Sequence, residues 1–169
     1  MKKTGVLLIN LGTPDSPKVK SVGPYLLEFL NDARVIDLPW ILRKLIVNVF
    51  IVPIRMFGSA KEYQKLWTEK GSPLLYHSQD LQKLIQEELG DNYDVHLAMR
   101  YNKPSIKSVL AEMKKAHYEE IILFPLYPQY ASSSSGTAIE KAMQYISKWW
   151  VIPNLKIVSE FYEDEGYIE

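Results

Sequence analysis

The 169-residue sequence contains no cysteine. The chain therefore forms no disulfide bond, no thiolate metal site and no cysteine-ligated iron–sulfur cluster. This composition is compatible with a reducing cytoplasm, and we expect a cytoplasmic protein.

The chain also lacks an excess of either charge and any long hydrophobic run. Its 20 basic and 20 acidic side chains give a formal net charge of zero. No global electrostatic attraction toward nucleic acid follows from that balance, so we expect no nucleic-acid partner. No stretch reaches the ~18 apolar residues of a spanning helix. The apolar run near the N-terminus is short and Asn10 interrupts it, so it predicts a buried first strand and not a signal peptide.

Four short segments rich in β-branched and large apolar residues predict strands. They are residues 5–11, 93–99, 119–127 and 155–162. The first and third are almost continuously apolar, which is typical of strands covered on both faces of a parallel sheet. With 47% hydrophobic and 24% charged residues, the chain has the composition of an ordinary globular domain.

Helical periodicity fills the gaps between these strands. It predicts helices over residues 21–32, 79–89, 104–117 and 138–150. In the second, Leu81, Leu84, Ile85 and Leu89 form one stripe that ends before Gly90. Pro104 suits the first turn of the third, and Thr137-x-x-Glu140 reads as a capping box for the fourth. The order of elements predicts an α/β fold with an open, doubly wound parallel sheet of four strands flanked by helices.

Residues 38–57 do not fit a minimal α/β unit. They are apolar around too much of a helical circumference to form a single buried stripe. Two interpretations remain, a core helix under the sheet or an exposed lip that meets an apolar ligand, partner or membrane. The pattern alone favours the core helix.

Ligands of open α/β sheets bind beyond the carboxyl ends of the strands, and one such end stands out. The stretch LFPLYPQYASSSSGT, residues 123–137, joins an apolar run to two tyrosines, a glutamine and four serines. Serines often only cap a helix. This set exceeds what a turn needs, and the serine hydroxyls with uncapped backbone N–H groups predict a site for an anion beside a flat aromatic surface.

The other strand ends give weaker signals. NLGTPDSP, residues 10–17, has no dinucleotide or P-loop pattern, and its residues favour a tight turn rich in Pro and Asp. Arg100, at a strand end, is suited either to a carboxylate or phosphate ligand or to a surface acid. His77, His96 and His117 have no partner at metal-ligand spacing, so we assign no metal site.

Four stretches taken together, LINLGTPDSP, GSP, RY followed by Pro, and LYPQYASSSSGT, resemble the ferrochelatase family. Its members insert ferrous iron into a porphyrin in the last stages of haem synthesis. The resemblance implies two similar Rossmann-like halves with the porphyrin in a cleft between them. The chain matches the N-terminal half only, so residues 1–169 are expected to be the N-terminal chelatase-like domain of a longer two-domain enzyme.

The resemblance also implies which residues bind porphyrin. Arg55, Tyr63 and Ser72 match residues that contact the macrocycle and its propionates, and Arg100, Tyr101 and Tyr127 match other positions of the cleft. Leu11 matches the position facing the porphyrin plane, where an apolar residue favours protoporphyrin over coproporphyrin. Residues 38–57 correspond to the lip of the cleft, which raises the exposed interpretation and the prospect of peripheral membrane contact.

The histidine motif that handles the metal in this family, Ser-Ala-His-Ser/Gly-Leu-Pro, belongs to the other half and does not occur here. The resemblance therefore implies no catalytic residue in this chain, no activity by itself, and the C-terminal half as its partner, with ferrous iron as substrate of the whole enzyme. Ser132 stands where some members carry a cluster-binding cysteine, so this half is expected to bind no cofactor.

Two alternatives remain open from the residues. One is a non-catalytic α/β module that binds phosphate or a small acid at the helix start near residue 138. The other is a related chelatase that acts on a cobalt or nickel tetrapyrrole.

Overall fold

A computed structural model describes residues 3–168, so the first two residues and the last of the predicted domain 1–169 lie outside it. The strands are β1 (Thr4–Gly12), β2 (Tyr93–Tyr101), β3 (Glu120–Pro125) and β4 (Asn154–Ile157). The helices are α1 (Val19–Leu30), α2 (Trp40–Leu45), α3 (Val52–Leu66), α4 (Pro73–Leu89), α5 (Ile106–Ala116), α6 (Thr137–Ile146) and α7 (Glu165–Ile168). Two π-helical segments, Ile46–Ile51 and Ser132–Gly136, precede α3 and α6.

The four strands form one sheet in the order β2-β1-β3-β4. β1 pairs with β3 in parallel, with Leu7 opposite Leu123, and β3 pairs with β4 in parallel. The predicted α/β class with an open parallel sheet flanked by helices is confirmed. The last strand is shorter than predicted, because the chain leaves the sheet after Ile157.

Contacts divide the chain into two compact units. The first, called the sheet unit here, comprises the residues up to Leu11, Ser78–Arg100 and the residues from Pro104 onward. The second, the helical unit, comprises Gly12–His77 and Tyr101–Lys103.

The core of the sheet unit consists of apolar side chains from β1, β2 and β3 with α5 and α6 packed against them. Its fully buried members include Leu7, Ile9, Leu110, Met113 and Ile146. Burying such a side chain stabilises the fold by roughly 1.5–3 kcal/mol. Val6 and Leu8, which point to the opposite face of β1, are buried as well. Both faces of the central strand are thus covered, as its continuous apolar character predicts.

Helix α5 buries Ile106, Leu110 and Met113 of its predicted apolar stripe. It begins at Ile106, two residues later than predicted. Ser105 is the N-cap, and its hydroxyl accepts a hydrogen bond from the Ser108 amide at 3.1 Å. Pro104 therefore precedes the cap and lies outside the first turn. The helix ends at Ala116, and the next residue, His117, adopts a left-handed conformation with φ of 53°.

The leucine stripe predicted for residues 79–89 does not form part of the core. Leu84 is 62% exposed, and Leu81 and Leu89 are exposed too. The polar side of this part of α4 instead faces the free edge of β2. Gln86 accepts from the Val95 amide at 2.8 Å and donates to the Tyr93 carbonyl at 2.9 Å, and Gln82 donates to the Val95 carbonyl. These amide side chains occupy backbone groups that an unprotected edge strand would offer to another chain.

The core interpretation of residues 38–57 is wrong. Trp40, Ile41, Phe50, Ile54 and Phe57 are each more than half exposed within the chain. Only Val47 and Val52 among the apolar residues of this stretch are buried. Residues 38–57 thus form an exposed apolar surface on the helical unit, as the family resemblance implies for a lip.

Candidate functional site

The strand order defines one place in the sheet unit where a ligand is expected. β1 and β3 are neighbours, while the chain reaches β2 on one side of β1 and β4 on the other side of β3. Ligands of such sheets bind at the carboxyl ends of the two strands where the order reverses. The segment after β3 remains hydrogen-bonded to β1 there, because the Leu126 amide donates to the Ile9 carbonyl at 2.8 Å.

At the end of β1, Asn10 fixes the local backbone. The side-chain oxygen of Asn10 accepts a hydrogen bond from the Leu11 backbone amide at 2.8 Å. The side-chain nitrogen donates to the hydroxyl of buried Ser78 at 3.0 Å. Leu11 is partly exposed. The structure therefore holds the backbone of Leu11 in place and leaves part of its side chain accessible.

Near the end of β2, Arg100 is partly buried and makes a hydrogen bond to helix α6. Its Nε donates to Thr137 Oγ1 at 2.7 Å. Thr137 is only 2% exposed. The bond joins the carboxyl end of β2 to the first turn of α6 and fixes the plane of the guanidinium.

Tyr127 follows β3 and lies within electrostatic reach of Arg100. Burial raises the pKa of the Tyr127 phenol well above its usual value, and the positive charge of Arg100 opposes that rise. The hydroxyl is buried and has no hydrogen-bond partner within the described chain. A buried hydroxyl without a partner carries a desolvation penalty of about 1–3 kcal/mol, which a polar ligand atom would offset. Tyr130, by contrast, is 51% exposed.

The serine block is helical and not a cap. Ser132–Gly136 form a π-helical turn that continues into α6, and the amides of Ser134 and Gly136 both donate to the Ala131 carbonyl. The predicted capping box is wrong, since Thr137 has helical φ and ψ of −68° and −34° and follows a helical turn whose N-cap is Ala131. The two amides are also not open to an anion. Ser135 is fully buried, and its hydroxyl has no partner among the described residues.

The helical unit holds the other predicted residues, and three of them are clearly placed. Arg55 is exposed on α3. Tyr63, on the same helix, packs edge-on against Tyr25 at 6.1 Å and Trp67 at 6.4 Å between ring centroids. Burial raises the pKa of Tyr63, and a hydrogen bond with Tyr25 opposes the rise. Ser72 is buried at the start of α4, where its carbonyl accepts from the Leu75 and Tyr76 amides.

Tyr101 is fully buried within the helical unit. Its hydroxyl donates to Asp32 Oδ2 at 2.9 Å, and its ring packs edge-on against Phe29 at 5.1 Å. These contacts describe a structural role. A role for Tyr101 in lining a cleft stays a prediction, as do the roles of the other six residues.

The structure thus brings Arg100 and Tyr127 together, with Leu11 at the end of the central strand of the same unit. Arg55, Tyr63, Ser72 and Tyr101 belong to the other unit. Within residues 3–168, no three His, Asp or Glu side chains are close enough together to hold a metal ion. No helix of that range is long and apolar enough to cross a membrane.

Sequence reasoning missed Asn102, which organises a small polar pocket of the helical unit. Its backbone has a left-handed φ of 67°, and its side chain donates to the Thr13 carbonyl and to Asp15 Oδ1. Its amide donates to Glu28 Oε2, and the pocket has a volume of about 150 Å³. The available signal was the asparagine itself, because Asn adopts left-handed backbone more readily than other side-chain-bearing residues.

A second cavity of about 390 Å³ lies between the α5–β3 and α6–β4 connections, with Trp149 and Tyr118 in its lining. It lies at the amino ends of β3 and β4, the opposite edge of the sheet from Arg100 and Tyr127. We place the candidate site at the carboxyl edge because the buried Tyr127 hydroxyl, which has no partner among the described residues, and the arginine within its electrostatic reach occur there.

Comparison with known proteins identifies the family of the chain. The sequence model of the family described as Ferrochelatase matches residues 3–169. The chain belongs to the ferrochelatase family. It is 49% identical to the ferrochelatase of Legionella pneumophila (strain Paris) over 167 residues, which cover 99% of this chain and 50% of that protein. It is 47% identical to the ferrochelatase of Chromobacterium violaceum and 44% identical to that of Coxiella burnetii (strain Dugway 5J108-111), covering 98% and 99% of the chain.

The chain covers a similar fraction of the length of each of these three ferrochelatases. The chain covers 47% of the Chromobacterium protein and 46% of the Coxiella protein. It therefore spans about half the length of the ferrochelatases that it matches. The predicted family is confirmed by these matches.

Proposed function

We propose that this chain forms one part of the porphyrin-binding cleft of a ferrochelatase, which inserts ferrous iron into protoporphyrin IX to give protohaem. The observation that carries the proposal is that Arg100 lies within electrostatic reach of the buried, unpartnered hydroxyl of Tyr127 at the carboxyl edge of the sheet. Family membership favours this function over an anion-binding module and over a cobalt or nickel chelatase.

The chemistry of the substrate suits these side chains. A porphyrin dicarboxylate is flat and apolar with charge only at its edge, so it needs aromatic and aliphatic walls and a few donors. Arg100 offers a planar fork of N–H donors that matches a carboxylate. Tyr127 and Leu11 offer an aromatic and an aliphatic surface. In the helical unit, Arg55, Tyr63 and Ser72 would supply further donors and an aromatic wall.

Metalation requires that two pyrrole protons leave and that ferrous iron enters the ring. No residue of this chain is proposed as the base or as the iron ligand, and no resident cofactor is proposed. The C-terminal half of the same enzyme would supply both groups, so residues 1–169 would be the N-terminal domain of a two-domain, cytoplasmic lyase. Binding energy from the walls of the cleft would favour a distorted ring whose nitrogens are accessible.

Peripheral membrane contact through residues 38–57 is a second part of the proposal. Exposed Ile41, Phe50 and Ile54 support it, because contiguous apolar surface of this kind marks a site of protein or membrane contact.

A titration of the protein with protoporphyrin tests the binding role. Trp67 packs on Tyr63, so porphyrin bound near Tyr63 should quench tryptophan fluorescence in a saturable way. Inorganic phosphate is the matched probe for the anion-binding alternative. Quenching by porphyrin without thermal stabilisation by phosphate is the expected result, and the reverse pattern would contradict the proposal.

A further inference from the structure

The bond between Arg100 and Thr137 has a geometry that suits the orientation of a ligand-binding arginine. The 2.7 Å separation of Nε and Oγ1 is short for a bond between a charged donor and a neutral oxygen. A guanidinium has five N–H donors in one plane. A bond at Nε uses one of them and fixes the orientation of the plane that contains the other four.

Thr137 is able to make this bond because of the π-helical turn before it. The helical run starts at Ser132, so the first turn that needs capping lies five residues before Thr137. Its side chain is only 2% exposed. A hydroxyl in that surrounding is rigid, and it holds the arginine more firmly than a surface side chain would.

A second buried hydroxyl of the same turn supports a polar function for this corner of the sheet unit. Ser135 is fully buried, and neither its hydroxyl nor that of Tyr127 has a partner among the described residues. Natural proteins leave few buried polar groups without partners, and those that remain often have a role in binding or catalysis. Of these two residues, Tyr127 lies within electrostatic reach of Arg100.

We propose that Thr137 is a positioning residue, which holds the Arg100 guanidinium in the orientation that receives a carboxylate of the porphyrin. The inference rests on the proposed function and deepens it, since it names the residue that determines how the acidic edge of the substrate is recognised. Thr137 itself touches no substrate. Its effect reaches the ligand only through Arg100.

Two ligands separate positioning from general stability. Protoporphyrin carries two carboxylates, and its dimethyl ester has the same ring without the charges. Affinities for both are measured by fluorescence quenching on the protein at the full length that its gene encodes. Thr137→Val removes the acceptor at nearly constant volume, Thr137→Ser keeps the hydroxyl, and Thr137→Ala gives a second variant without an acceptor if the valine protein does not fold.

We expect Thr137→Val and Thr137→Ala to weaken binding of the acid about tenfold and to change binding of the ester less than twofold. Thr137→Ser should bind both ligands within twofold of the unchanged protein. In an Arg100→Gln background the valine substitution should cause no further loss, because the group it positions is gone.

Three results would overturn the inference. Equal loss of acid and ester would mean that Thr137 only stabilises the fold. Unchanged affinity for the acid in both Thr137→Val and Thr137→Ala would mean that Arg100 needs no positioning. If the unchanged protein bound neither porphyrin, the proposed function would fail together with this inference, whereas the first two results would leave the proposed function intact.

Discussion

At the residue scale, Gly12 lies so close to the backbone of Tyr101 that no side chain fits there. It has φ of +107°, and a Cβ placed there would lie 1.9 Å from the Tyr101 carbonyl oxygen. Tyr25 donates to the Gly12 carbonyl at 3.2 Å. Only glycine combines this conformation with this contact.

Gly12→Ala should therefore destabilise the protein by about 3 kcal/mol, from backbone strain and the clash with Tyr101. Gly58→Ala is the matched control, since nothing lies within 4 Å of its added Cβ. Because Gly58 lies within α3, alanine there should stabilise by up to about 1 kcal/mol. Urea unfolding of the three proteins checks both values, and similar stability of the two variants would contradict the contact.

A second residue-scale feature is the polar chain at the amino end of β2. Tyr118 donates to Asp94 at 2.8 Å, and Lys3 donates to the other Asp94 oxygen at 2.9 Å. His96 Nε2 lies 3.0 Å from the Tyr118 hydroxyl. Since the single hydroxyl proton goes to Asp94, the histidine is the donor to Tyr118.

This arrangement predicts a pH dependence of stability. Burial lowers the pKa of His96 below its ordinary 6.5, and the negative charge of Asp94 only partly opposes the shift. The unfolded chain then binds the proton more tightly than the folded one, so stability is full above about pH 7 and falls as the pH drops below 6.5 toward the folded pKa. His96→Gln should remove this slope between about pH 7 and 5. Unfolding free energies over that range measure it, and equal slopes in both proteins would refute the assignment.

At the element scale, the helical run from Trp40 to Leu66 exposes many large apolar side chains. Its π-helical segment Ile46–Ile51 places Val49 and Phe50 on the exposed side, next to Ile54 and Phe57. Buried Arg43 secures the start of the run by donating to the Ile36 and Leu38 carbonyls. The apolar surface is thus held on an ordered element.

We expect this surface to bind lipid vesicles. Each large apolar side chain that leaves water contributes about 1.5–3 kcal/mol, so the double substitution Phe50→Ser, Ile54→Ser should weaken partition into phosphatidylcholine vesicles at least tenfold. The control removes two exposed leucines of α4, Leu81→Ser and Leu84→Ser. Co-sedimentation with vesicles measures the partition. If the control lost as much binding as the test variant, the surface at 38–57 would not be the contact.

At the scale of the whole molecule, the chain accounts for about half of each ferrochelatase that it matches. The proposed division of labour gives porphyrin recognition to this half and leaves proton and metal transfer to the other half.

We therefore predict that residues 1–169 alone bind protoporphyrin and insert no iron. Anaerobic incubation with porphyrin and ferrous iron, followed by the absorption spectrum of haem, checks the outcome, and the protein at full length is the positive control. Haem formed by residues 1–169 at a rate near that of the control would contradict the proposal and would require a base within this chain.

Local signals sufficed for much of the fold and for part of the site. Apolar runs located all four strands, and the periodicity of residues 104–117 identified Ile106, Leu110 and Met113 as buried. The resemblance supplied the seven candidate site residues, of which Tyr101 is the least accessible. Periodicity failed for Leu84 and Leu89, because amphipathic spacing does not say which side of a helix meets the sheet. There, Gln82 and Gln86 face the edge of β2.

By itself, the sequence determined the class of the fold and the family, because hydrophobic periodicity and short motifs are local properties of the chain. Tertiary structure alone decided the hydrogen bond from Arg100 to Thr137 and the electrostatic proximity of Arg100 to Tyr127. Thr137 and Tyr127 are 37 and 27 residues away from Arg100 in the sequence. Tertiary structure also decided that residues 38–57 are exposed and that Thr137 lies inside a helical run instead of at its N-cap. Each of these depends on how strand ends and helices meet in space, and no local pattern encodes that geometry.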